Sequence, residues 1–102
     1  DTRLIDKVAV KGKENPVMVY EVLNGESSDL KDAKKSTLHK FRKGFELYQN
    51  QQFENALELF RTCTEKVPED GVAELYIERC QKLLSSGWDT ETWDGINYMD
   101  VK

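Results

Sequence analysis

The stretch Phe53–Pro68, FENALELFRTCTEKVP, decides how the chain folds. Phe53, Ala56, Leu57, Phe60, Cys63, Thr64 and Val67 recur three and four residues apart, the spacing that gathers them on one face of a helix. Pro68 ends the run, because it lacks an N–H and its ring collides with the preceding turn. Upstream, Leu38, Phe41, Phe45 and Tyr48 form a second stripe of the same period, and Asn50, Gln51 and Gln52 break it. So short a break predicts two helices packed antiparallel as a hairpin. Downstream, Pro68–Gly71 reads as a turn. Val72, Leu75, Tyr76, Cys80, Leu83 and Leu84 then form a third stripe that stops at Ser85, Ser86 and Gly87. Helices over about 37–50, 52–67 and 71–84 follow, with one shared core.

Both flanks break this period. The tail, GWDTETWDGINYM over Gly87–Met99, has no repeat, yet it carries Trp88, Trp93, Ile96, Tyr98 and Met99. Rings of that size need cover. The reading is an acidic, aromatic tail over 85–102 that folds back on the helices, with Trp88, Trp93 and Tyr98 as the candidates for packing there or for docking a partner. Asp89, Glu91 and Asp94 lack the ligand spacing of a calcium loop and read as a solvated acidic turn.

At the other end, VAVKGKENPVMVYEV over Val8–Val22 reads as two strands around a polar turn. Leu4, Val8 and Val10 alternate with Ile5, Lys7 and Ala9, and Pro16 stands where a strand can best spare an N–H. A lone hairpin is marginal in water, so residues 1–23 call for more sheet than themselves. Residues 24–36 read as a linker or helix start, with Ser28 and Ser36 as possible N-caps. The fold class is therefore mainly α: an N-terminal β-hairpin, a three-helix module and an aromatic tail.

Composition narrows the function. With 102 residues, 38% apolar and 33% charged, the chain has room for one modest core. A net charge of −4 and no basic stripe argue against nucleic acid. Nothing apolar is long enough to insert in a membrane, no leader is visible, and a cytoplasmic location is expected. Cys63 and Cys80 lie on apolar stripes and read as small core hydrophobes, too far apart and too poorly accompanied by the single His39 to bind zinc. His39 falls on the polar side of its helix, with no nucleophile set beside it. The sequence opens on Asp1 in mid-pattern, which reads as a segment of a longer protein.

Two family resemblances extend this reading. Gly44, Ala56 twelve residues on, Phe60, Pro68 and Phe53 resemble a tetratricopeptide repeat, in which small residues let two helices approach and large ones fill the seam. Gln51 stands where that pattern has its turn glycine, and Lys40 where it has its first aromatic, with Phe41 beside it. Such repeats need about three copies to form a groove, and one and a half are present.

The second resemblance is more specific. RLIDKVAVKGKENPVMVYEVL, Arg3–Leu23, is similar to the carboxyl end of the class III adenylate/guanylate cyclase catalytic domain, where a KGK turn joins the last two strands. Lys11, Gly12, Lys13, Pro16, Val17, Val19, Tyr20 and Glu21 match its pattern. The order of that hairpin, the helices, the run PEDGVAELYIERCQKLL and a closing WDG resembles the end of a group of bacterial adenylate cyclases. The resemblance implies a parent that converts ATP to cyclic AMP and pyrophosphate with magnesium or manganese and pairs with a second cyclase subunit. It also implies a parent that is cytoplasmic, or membrane-anchored with this part on the cytoplasmic side. Lys11 matches the family lysine associated with the nucleotide phosphates; the metal-binding aspartates and the transition-state Asn/Arg pair have no match here. No catalytic residue or cofactor is expected in this segment, a helical extension partnered by its own upstream catalytic domain. The alternative is a free-standing interaction adaptor that binds through the helices and the Trp88/Trp93 tail.

Overall fold

Ser27 opens the helical part by capping: its Oγ accepts the Leu30 N–H at 3.4 Å. The computed structural model describes residues 2–10, 15–23 and 27–99. In chain order these form β1 (Thr2–Val10), β2 (Val17–Val22), α1 (Ser28–Ser36), α2 (Leu38–Gln49), α3 (Phe53–Lys66), α4 (Gly71–Ser86) and β3 (Asn97–Met99). The architecture is mainly helical with an N-terminal strand hairpin. Four helices form where the stripes indicate three: α1 occupies the stretch read as linker or helix start, and its cap is Ser27, one residue before Ser28. The KGK turn, with Lys11, lies outside the described residues.

The stripes pack as their period demands, α2 on α3 and α3 on α4. Tyr76 on α4 is the hub of the core. Its ring stacks on Phe60 at 5.0 Å and meets Phe41, Phe45 and Tyr48 edge-on at 6.1, 5.9 and 5.0 Å. Gly44 makes room for this cluster, since a Cβ there would lie 3.1 Å from the Phe60 ring. Cys63 and Cys80 are buried, free thiols within the same core. Burial pushes the Cys80 thiol up to about 11 and raises that of Cys63, which keeps both protonated and unreactive at neutral pH.

The sheet has the order β2-β1-β3. β1 and β2 pair antiparallel, Thr2 opposite Val22 and Val8 opposite Val17, with a register shift between Leu4 and Asp6. That bulge at Ile5 breaks the even alternation read from the sequence, so Leu4 and Val8 fall on opposite faces. It also lets Leu4 and Ile5 both reach the helical core. The second departure is β3. Part of the aperiodic tail returns to run parallel to β1, with Asn97, Tyr98 and Met99 opposite Val8, Ala9 and Val10.

Candidate functional site

Arg3 is fully buried, an uncommon position for a guanidinium, and its surroundings define the seam between hairpin and helices. Its Nη1 donates to Asp70 Oδ2 at 2.7 Å and its Nη2 to Asp70 Oδ1 at 2.9 Å, the parallel fork that suits a carboxylate. Nη2 also donates to Glu21 Oε1 at 2.8 Å, and Lys34 Nζ lies 3.3 Å from the other oxygen of Glu21. The guanidinium carbon sits 4.1 Å from the centre of the Phe41 ring, so an aromatic face covers the group whose Nε has no hydrogen-bond partner. Asp70 in turn caps α4, accepting the Ala73 N–H at 3.2 Å. Strand, strand, α1 and α4 thus meet on four charged side chains.

Burial opposes charge on Asp70, but the Arg3 hydrogen bonds and charge outweigh it and hold the carboxyl below its ordinary range. Burial likewise works against Arg3, and its bonds to Asp70 raise it further all the same. A second clasp lies about two turns along α4. The Tyr76 hydroxyl donates to the Ile5 carbonyl at 2.6 Å and lies 3.2 Å from Asp6 Oδ1. Arg79 forks onto the same Asp6 at 3.0 and 3.2 Å while lying over the Tyr76 ring. Burial, reinforced by the Asp6 charge, raises Tyr76 well above an ordinary phenol, so it remains a donor. The bulged segment of β1 supplies both the carbonyl and the carboxylate.

The tail makes a third contact, at the α2–α3 turn. Trp93 Nε1 donates to the Gln49 carbonyl at 2.9 Å, and Gln49 Nε2 donates to the Gly95 carbonyl at 3.0 Å. Trp88 Nε1 donates to Gln51 Oε1 at 2.8 Å, and Gln51 Nε2 donates to the Thr90 carbonyl at 3.2 Å. Both indoles meet Phe53 edge-on, at 4.6 Å for Trp88 and 5.0 Å for Trp93, and Trp93 also meets Tyr48 at 5.3 Å. Gln51 has φ +67°, a conformation glycine adopts more easily. The amide justifies it, because both of its ends are engaged by the tail. Gly95 fits only as glycine: its φ is +71° and a Cβ would overlap the Gln49 amide.

Of the residues singled out in the sequence, Trp88 and Trp93 are brought together on this turn. Tyr98 is half exposed on β3, with its hydroxyl bonded to Asp94. Asp89 and Asp94 accept the backbone N–H groups of Glu91 and Ile96 at 2.9 Å, the bonding of turn residues. His39 is exposed. No sequence pattern pointed to the Arg3, Asp70, Asp6 and Arg79 set, whose partners lie 67 to 73 residues apart. No group of three or more His, Cys, Asp or Glu side chains suited to a metal ion occurs among the described residues. Nor is any described helix long and apolar enough to cross a membrane. In the seam every charge faces another protein group, so it locks elements together and presents no reactive atom.

No family model matches the chain, and no solved structure matches it. Among curated proteins, it is 42% identical over 78 residues, 76% of its length, to the terminal-differentiation-specific adenylate cyclase of Dictyostelium discoideum. The chain spans about 4% of that protein's length. Over most of its own length, then, this chain is related to one short stretch of an adenylate cyclase.

Proposed function

We propose that the chain is the carboxyl-terminal part of a class III adenylate cyclase. β1 and β2 close the catalytic domain, and α1–α4 with the tail form a tetratricopeptide-like extension that does no chemistry itself. The observation that carries this reading is the 42% identity to an adenylate cyclase. The seam supports it physically: Arg3 and Asp6, in the strand that resembles the cyclase end, are fastened to Asp70 and Arg79 on the helices. An extension joined in this way sets the position of the hairpin.

The whole protein, on this reading, cyclises ATP with magnesium or manganese, works as a pair of cyclase subunits in the cytoplasm, and uses Lys11 as a point charge toward the phosphates. The adaptor reading has less in its favour, since Trp88 and Trp93 are engaged by the chain's own helices. The test is a cyclase assay on the intact gene product with each metal. Cyclic AMP and pyrophosphate are expected from it, at a rate lowered by Lys11→Ala, and neither product is expected from the 102-residue chain alone. An intact product that forms no cyclic AMP with either metal would refute the assignment.

A further inference from the structure

Between α2, the second half of α4 and the returning tail lies a cleft of about 260 Å³. Tyr48, Leu83, Trp93 and Ile96 give it an apolar lining, and Arg79 and Lys82 bring two cations to it. No carboxylate lines it, although the chain carries a net charge of −4. The walls are fixed before anything enters. Trp93 is held by its bond to the Gln49 carbonyl, Ile96 by the bond from its N–H to Asp94, and Asn97 by its pairing with Val8 in the β1–β3 ladder. Arg79 is forked onto Asp6, so its charge is already matched. Lys82 differs: it is exposed, and its ammonium has no ion pair among the described residues. Burial raises the Tyr48 phenol above its ordinary value, so this ring adds no negative charge at neutral pH.

We propose that this cleft binds a small aromatic acid, with its ring against Leu83, Trp93 and Ile96 and its carboxylate against the Lys82 ammonium. The lining selects that class. An apolar, partly aromatic wall beside a cation suits a flat hydrophobic body with one anionic end. The volume lies below that of drug-sized sites, which limits the body to one or two fused rings. A basic ligand would meet Arg79 and Lys82 with no lining carboxylate to balance it, and a neutral ring would leave Lys82 unmatched. Because the walls are already held in place, little side-chain ordering opposes binding. The occupant bridges α4 to the tail and so holds β3 against β1. This site is independent of the cyclase reading, since it uses only side chains between Tyr48 and Asn97.

The test is a titration of the 102-residue chain with 2-naphthoate, followed through the Leu83 and Ile96 methyl signals and the Trp93 indole N–H in NMR spectra. Saturable shifts at those residues are expected. 2-Naphthalenemethanol, the same ring without the charge, should bind roughly threefold or more weakly. Lys82→Glu should weaken 2-naphthoate by roughly fivefold or more. Lys66→Glu, the same charge change in the last turn of α3 and at the other end of the α3–α4 pair, should leave binding within a factor of about two. Lys82 is exposed, so its variant keeps the fold, as its spectrum without ligand will show. Spectra that do not change at millimolar 2-naphthoate overturn the proposal. So do shifts centred on Trp88 and Leu84, which would place the ring in the separate cleft at the start of α3. Equal binding of acid and alcohol, or undiminished binding to Lys82→Glu, overturns it as well, because the contact would then be hydrophobic alone.

Discussion

Arg3 and Asp70 form an ion pair with no exposed surface, and at that burial the cost of breaking the pair exceeds the benefit of making it. Asp70→Ala leaves a guanidinium with half its partners gone and removes the cap of α4. The expected loss is about 3–5 kcal/mol in denaturant unfolding at neutral pH. Replacing both partners, as in Arg3→Met with Asp70→Leu, should cost less than the single change. The pH dependence has a fixed sign. The folded carboxyl titrates below its ordinary value of 3.8, so its stabilisation is complete above that pH and disappears as pH falls through the lower, folded value. Asp70→Asn should therefore flatten the acid limb of the stability curve below about pH 4 and leave the shape above it unchanged.

Among the elements, the tail is the least regular and makes the most specific contacts. Removing residues 88–102 uncovers Phe53 and Tyr48 and should lower stability by about 3 kcal/mol or more, seen as a fall in the thermal midpoint. Gln51→Ala should cost about 1–2 kcal/mol, from two lost amide hydrogen bonds at a strained position, and should redden the indole emission. These elements differ in how far the sequence announces them. The 3.6-residue stripes gave α2, α3 and α4 to within about two residues, because burial on one face is a periodic signal. α1, with only Leu30 and Ala33 as apolar residues, has almost no stripe and depends on its cap and on Lys34 reaching Glu21. β3 has no pattern of its own; three residues become a strand because β1 offers an edge. Gln51 was visible as a departure from a glycine position, but the bonds that sustain it join residues nearly forty apart.

For the molecule as a whole, the two clasps and β3 tie the hairpin to the helices, so neither part has a surface of its own to melt along. Unfolding should be a single transition, with tryptophan fluorescence and the strand amides losing their native signal at the same denaturant concentration. An early loss of the strands would show that hairpin and helices are separate units. The charged seam that enforces this unity was hidden in the sequence, because long-range ion pairs carry no period and the bulge that aims Asp6 is set by packing. The parallel β1–β3 ladder also has a mechanical consequence. Tension applied between Thr2 and Met99 pulls two parallel strands from opposite ends, so its rungs are loaded in shear together instead of being unzipped one by one. A tug passing through this segment would meet its stiffest resistance at the shortest strand.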